Sequence, residues 1–235
     1  MKPLAVERMG RVAYGPMLAL QEARHVAVAD GVGPETLFLL EHEPVVTLGK
    51  NSGADHVLVS KAALAARGVE LVATGRGGDV TYHGPGQIVG YPIVALGEGE
   101  QDIKRYVWKL EELLIRTVAD FGVTASRVDG LRGIWVGNDK ICAIGVRIAR
   151  WTTLHGFALN VTTDLDGFAL IVPCGIRGRG VTSLARLCSP VPSLREVEDR
   201  IIVHASAVLG RETHEAAPSP LPGPAAATAV GVPGE

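Results

Sequence analysis

The sequence predicts an α+β fold whose sheet is largely antiparallel or mixed. Three observations carry this. Helix-period and strand-period segments interleave without a regular βα alternation. Apolar runs over residues 134–136, 141–148 and 154–161 read as consecutive strands. The chain has 235 residues, 47% hydrophobic and 20% charged, which suits one large domain, or a domain with a small satellite, around a substantial core.

Residues 4–9 read as a first strand. Over 12–30 Met17, Leu20, Ala23 and Ala27 recur at three- and four-residue spacing, which predicts a helix stopped by Gly31. Residues 36–40 and 45–48 are short apolar runs around Glu41-His42-Glu43-Pro44, the pattern of two strands joined by a proline-containing turn. Ser60 can cap a helix running to Arg67 and ended by Gly68. Residues 69–73 and 80–82 read as strands around a glycine-rich turn, and 87–96 as another strand. Asp102 caps the clearest helix, which runs to about Phe121, with Ile103, Val107, Leu110, Leu114 and Val118 as its apolar stripe. The capping box Ser193-x-x-Glu196 opens a last helix to about Leu209. The stretch beyond Arg211 is rich in proline, glycine and alanine. The expected organisation is one folded domain over 1–211 and a disordered tail over 212–235.

The formal net charge of -2 argues against nucleic acid as the main partner. The uncharged run 216–234 carries five prolines, which rules out a lipid-spanning helix there, and the N-terminus lacks the apolar core of a signal peptide. Three cysteines without regular spacing make no disulfide framework, so a reducing cytoplasm is the expected location. Phosphate-loop, HExxH, GxSxG and CxxC signatures are absent.

Three segments can carry chemistry. The first is Arg76-Gly77-Gly78-Asp79-Val80-Thr81-Tyr82-His83-Gly84-Pro85-Gly86-Gln87. Its glycines let backbone approach a ligand closely, and Arg76 and His83 can orient a polar group. Taken alone it is equally a hairpin with glycine turns. The second is Lys140-Ile141-Cys142-Ala143-Ile144-Gly145-Val146. A lysine at the mouth of an apolar strand is usually a solvated edge charge. Cys142 inside the strand reads as a small buried hydrophobe, and two-residue spacing puts it on the face of Lys140. The third is Pro173-Cys174-Gly175, where a turn after an apolar run can expose a thiol on rigid backbone; a buried structural cysteine is the alternative. Cys188 has no obvious partner.

In this order the segments resemble the lipoate-protein ligase B family, the octanoyl-carrier-protein:protein octanoyltransferases. The match takes in Leu39-Leu40-Glu41-His42, the glycine-rich string, Val128-Asp129-Gly130, Lys140-x-x-Ala143-Ile144-Gly145-Val146, His155-Gly156-Phe157-Ala158-Leu159-Asn160, Pro173-Cys174-Gly175-Ile176 and Val181-Thr182-Ser183-Leu184. The resemblance implies the catalytic-core fold of biotin and lipoate ligases, a mixed sheet with packed helices plus a smaller sheet. It implies Cys174 as nucleophile and Lys140 as its acid/base partner. Arg76, Gly77, Gly78, Asp79, Val80, Thr81, Tyr82 and His83, with Ala143, Ile144, Gly145, Gly156, Phe157 and Ala158, would cradle the acyl group.

It further implies an octanoyl-acyl carrier protein as donor and the lipoyl domains of 2-oxoacid dehydrogenases and the glycine-cleavage H protein as acceptors. No cofactor or metal is expected, nor any membrane or nucleic-acid partner, and the chain is expected to be a monomer. A free thiol with pKa near 8.5 is only about 3% thiolate at pH 7. An ammonium ~4 Å away at an effective dielectric of ~20 favours thiolate by up to ~4 kcal/mol, before desolvation offsets part of it. Competing readings are an ATP-dependent ligase of the same fold, a thioesterase using the same cysteine, and a non-catalytic carrier-binding module.

Overall fold

The computed structural model describes residues 1–53, 56–172 and 178–223. Strands β1 (Lys2–Val12), β2 (Thr36–His42), β6 (Gln87–Ile93), β7 (Ser126–Val128), β8 (Leu131–Val136), β9 (Asp139–Ala149), β10 (Thr152–Asn160) and β12 (Arg211–Ala216) form the large sheet, in the order β12-β1-β2-β6-β10-β9-β8-β7. A short β11 (Gly180–Val181) adds to β9 in parallel. The β12/β1 and β1/β2 pairs are parallel and the rest of the path is antiparallel, so the sheet is mixed. A second sheet has the order β4-β3-β5, from β3 (Val45–Leu48), β4 (Glu70–Ala73) and β5 (Thr81–His83).

Helices cover both faces of the large sheet, which is why its central strands read as unbroken apolar runs. Leu37 and Leu39 of β2 face α3 (Ile103–Ala119) and α5 (Leu194–Leu209). Phe38 and Leu40, one residue out of phase, face α1 (Tyr14–Ala29) with Met17 and Leu20. A third cluster, with Val46, Leu64, Tyr82 and Phe168, fills the small sheet and joins it to α2 (Lys61–Ala65) and a 3₁₀ turn over Leu165–Leu170. The predicted caps form: Asp102 accepts from Arg105 N at 3.0 Å, Ser60 from Ala63 N at 3.2 Å, and Ser193 with Glu196 makes the capping box.

The two strands expected on either side of the Pro44 turn form, and they belong to different sheets. Two expectations change. Strands β4 and β5 do not pair around the glycine string; both pair with β3, and Gly77 N crosses to bond Val146 O of β9 at 3.0 Å. The expected boundary at 211 also moves, because residues 212–216 pair in register with residues 3–7 of β1. Beyond that strand Ser219 N donates to Glu7 at 2.7 Å. Residues 224–235 lie outside the described residues.

Arg211 anchors this last strand. It is buried, bonds Glu35 at 2.6 Å and Glu100 at 2.9 Å, and reaches the carbonyls of Ala95 and Leu209. It also holds the Glu100 carboxyl down, to about 2. Arg211→Met would take the nearest cation from two carboxylates, leaving Glu35 with Lys2 at 3.9 Å and Glu100 with Lys109 at 3.6 Å, so a loss of about 3 kcal/mol, the low end for a broken buried pair, is expected. Chemical denaturation checks it; a loss under about 1 kcal/mol, the worth of an exposed pair, would contradict it.

Candidate active site

A cavity of about 560 Å³ opens where the small sheet meets the large one. One wall is the loop 76–81 with His83. The loop is held by Arg76, a buried guanidinium that donates from Nη2 to Thr47 O at 2.7 Å and Oγ1 at 2.9 Å, and from Nε to Oγ1 at 3.2 Å. Gly77 can lie against β9 because Gly145 below it has no side chain; a Cβ on Gly145 would stand 2.9 Å from Gly77 O. Gly156 is paired with Gly145, and a Cβ there would stand 2.1 Å from Gly90 O. These glycines let loop and strands close on one another, while Val89, Val107, Ile144, Phe157 and Ala158 give the cavity its apolar surface.

Lys140 lines the cavity and is only 9% exposed, so it is not a solvated edge charge. Its ammonium lies over the Trp135 ring, 4.8 Å from the centroid, and Arg179 lies over the same ring at 5.0 Å. A ring face attracts a cation electrostatically. Val181 of β11 is the register partner of Lys140, and Thr182 N donates to Lys140 O at 3.0 Å.

A chain of side-chain amides runs from there to the opposite wall. Asn160 Nδ2 donates to Thr182 O at 3.0 Å, Gln87 Nε2 to Asn160 Oδ1 at 2.9 Å, and His83 Nδ1 lies 2.8 Å from Gln87 Oε1. His42 Nδ1 donates to Val12 O at 3.0 Å, so its Nε2 accepts from Tyr91 Oη at 2.8 Å. Tyr14 stacks on His83, with ring centroids 6.3 Å apart. His155 sits in the left-handed region at φ 61°, and neither ring nitrogen has a hydrogen-bond partner among the described residues.

Burial keeps all three histidines neutral. It pushes His42 down to about 4, and His83 and His155 to about 3, the last two helped by the Arg76 charge. Burial also raises Tyr14 to about 12 and lifts Tyr91 well above the ordinary phenol value, so both phenols stay protonated. Asp79 accepts from Val80 N at 2.7 Å and meets His56 at 2.7 Å.

Of the expected site residues, Arg76, Gly77, Gly78, Asp79, Val80, Thr81, His83, Lys140, Ala143, Ile144, Gly145, Gly156, Phe157 and Ala158 line this one cavity. Tyr82 does not. Alternation along β5 turns it to the other side, edge-on to Phe168 at 5.6 Å. Cys174 lies outside the described residues. Cys142 does not share the cavity face with Lys140. The β8/β9 ladder shifts register between the Lys140 and Cys142 pairs, and Cys142 sits fully buried in the core, where burial raises its thiol pKa. Tyr14, Tyr91, Asn51 and the first turns of α3 also line the cavity without having been singled out. Gln87, His155 and Asn160 stood in the matched strings but were given no role.

The sequence model of the lipoyl protein ligase A/B catalytic domain matches residues 13–206. An octanoyltransferase of Chloroflexus aurantiacus is 49% identical over 215 residues, covering 90% of this chain and 96% of that protein. One from Caldicellulosiruptor bescii is 45% identical, covering 86% and 90%. Among solved structures, lipoate-protein ligase A bound with ATP superimposes with a TM-score of 0.77 at 20% identity, over 93% of this chain and 90% of that one. The lipoate protein ligase fold of Thermoplasma acidophilum Ta0514 gives 0.74 at 19%, over the same shares. The large mixed sheet with its packed helices and the smaller three-stranded sheet accompany this similarity, and the chain belongs to the lipoyl protein ligase A/B catalytic-domain family.

Proposed function

We propose that this chain is an octanoyltransferase of protein lipoylation. It moves an octanoyl group from a carrier-protein thioester to a lysine of a lipoyl domain through an acyl-Cys174 intermediate. The observation that carries the reading is the convergence, on one largely apolar cavity, of the 76–83 loop, the buried Lys140 and the glycine-bearing strands β9 and β10. The octanoyltransferase relatives, near 45–49% identical over most of the chain, support octanoyl transfer. The Pro173-Cys174-Gly175 string, which resembles that of the lipoate-protein ligase B family, supports Cys174 as the nucleophile.

The cycle balances without a cofactor. Cys174 thiolate attacks the thioester carbonyl, a new C–S bond forms, and the carrier thiolate leaves with a proton from Lys140. A neutral lysine amine then attacks the acyl-enzyme. A C–N bond forms, Cys174 leaves as thiolate, and the amine's proton passes to Lys140. Thioester to amide runs downhill, so no nucleotide is consumed. Burying about seven carbons of an octanoyl chain against the apolar wall is worth about 5 kcal/mol. One methylene more or less then changes selectivity only ~10–200-fold.

The test is a reaction of octanoyl carrier protein with a lipoyl domain, without nucleotide. Octanoylated domain is the expected product. Product only with free octanoate and ATP would make the chain a ligase, and octanoate released without any acceptor would make it a thioesterase.

A further inference from the structure

His83 is held in one tautomer by hydrogen bonds that end on a main-chain carbonyl. Thr182 O can only accept, so the Asn160 atom beside it is Nδ2 and its other atom is Oδ1. Oδ1 can only accept, so Gln87 presents Nε2 to it, as the second contact of that nitrogen, with Tyr82 O at 3.4 Å, also requires. Gln87 Oε1 therefore faces His83, and the proton between them sits on His83 Nδ1. In a neutral ring Nε2 then carries only a lone pair. His83 lines the cavity, its Nδ1 is taken, and Nε2 makes no hydrogen bond among the described residues. Burial, with the adjacent His42 ring and the Arg76 charge, disfavours a second proton. The wall thus presents a fixed hydrogen-bond acceptor that is neither an acid nor an effective base near neutrality.

We propose that His83 Nε2 positions the attacking amine of the acceptor by accepting one of its N–H bonds. This rests on the transfer reaction proposed above. An acyl chain and its thioester bring no donor hydrogen to the reacting carbon, whereas a primary amine brings two. One N–H points to His83 and stays on nitrogen in the product amide. The other proton goes to Lys140 as the C–N bond forms and the C–S bond to Cys174 breaks. His83 is a positioning residue, and its effect belongs to the second half of the cycle.

Single-turnover rates of the two halves test this, with His83→Phe and His83→Gln beside the wild type. Losing one well-placed acceptor should slow transfer from octanoyl-enzyme to the lipoyl domain about 10- to 100-fold more than it slows acylation by the carrier thioester. His83→Gln, whose side-chain oxygen can reach the place of Nε2, should recover much of that loss. Equal slowing of both halves, or slowing of acylation alone, would overturn the assignment. Nitrogen NMR of labelled wild-type protein gives a readout apart from activity. It should show His83 with its proton on Nδ1 and no titration between about pH 5 and 8; a proton on Nε2 would overturn the proposal even if the variants fail to fold. If the wild type forms no acyl-enzyme, the transfer reading and this proposal fall together. A wild-type adduct with unaltered partitioning in His83→Phe removes the His83 proposal alone.

Discussion

Lys140→Met is expected to slow octanoyl transfer by about 10²- to 10⁴-fold, the usual worth of a positioned acid/base group. Methionine keeps an unbranched stem against Trp135 and removes only the charge and its protons. The main-chain bond from Thr182 to residue 140 does not depend on the side chain, so the strand pairing should persist. Both halves of the cycle should suffer, because the same ammonium protonates the departing thiol and the resulting amine takes the proton of the incoming lysine. The histidines stay neutral down to about pH 3–4 and the Tyr14 phenol stays protonated up to about 12. Single-turnover rates, with thermal unfolding as the control for folding, check this. A slowing of less than about tenfold would assign proton transfer elsewhere.

The second large effect is on stability in acid. His42, His83 and His155 are buried around the cavity, with pKa values lowered to about 4, 3 and 3. In the unfolded chain each takes up a proton near pH 6.5. Between pH 6.5 and 3–4 the unfolded state therefore holds more protons than the native state, and stability falls as pH falls. Each histidine contributes up to about 1.4 kcal/mol per pH unit in that window, and the three together up to about 4 kcal/mol per unit. Above pH 6.5 these groups add no slope. Denaturant midpoints should drop steeply from pH 6.5 to 5 and change little from 7 to 8. His42→Phe, which removes one of the three groups, should flatten the acid limb. An acid limb that begins only near pH 4.5 would mean that carboxylates, not these histidines, set it.

Much of the frame was legible in the sequence because burial on two faces leaves a simple trace. The strands β2, β9 and β10 appear as apolar runs, and α3 and α5 announce themselves by a stripe and by Asp102 and Ser193 at their starts. Strand β12 left no such trace. Its sequence, RETHEA, is polar because it lies at the sheet edge, and its place depends on Arg211 meeting Glu35 and Glu100 from distant parts of the chain. The small sheet's order was equally hidden, since β3 pairs with two strands that follow it and not with its neighbour β2.

At the site, residue chemistry was readable and geometry was not. The glycine string and Lys140 stand out as types, and the strings containing His155 and Asn160 could be matched. That Tyr14, Tyr91 and His155 come together with Arg76 is a consequence of α1, β6 and β10 packing on one face. Tyr82 was included because it stands in the string, although the two-residue period of a strand already separates it from Thr81 and His83.

The central claim is a covalent acyl group on Cys174. Its most direct test is the intact mass of the protein after mixing with octanoyl carrier protein, wild type beside Cys174→Ala. The account predicts a single octanoyl adduct on the wild type only, discharged when a lipoyl domain is added. Octanoylated lipoyl domain formed from the carrier thioester at an undiminished rate by Cys174→Ala would contradict it.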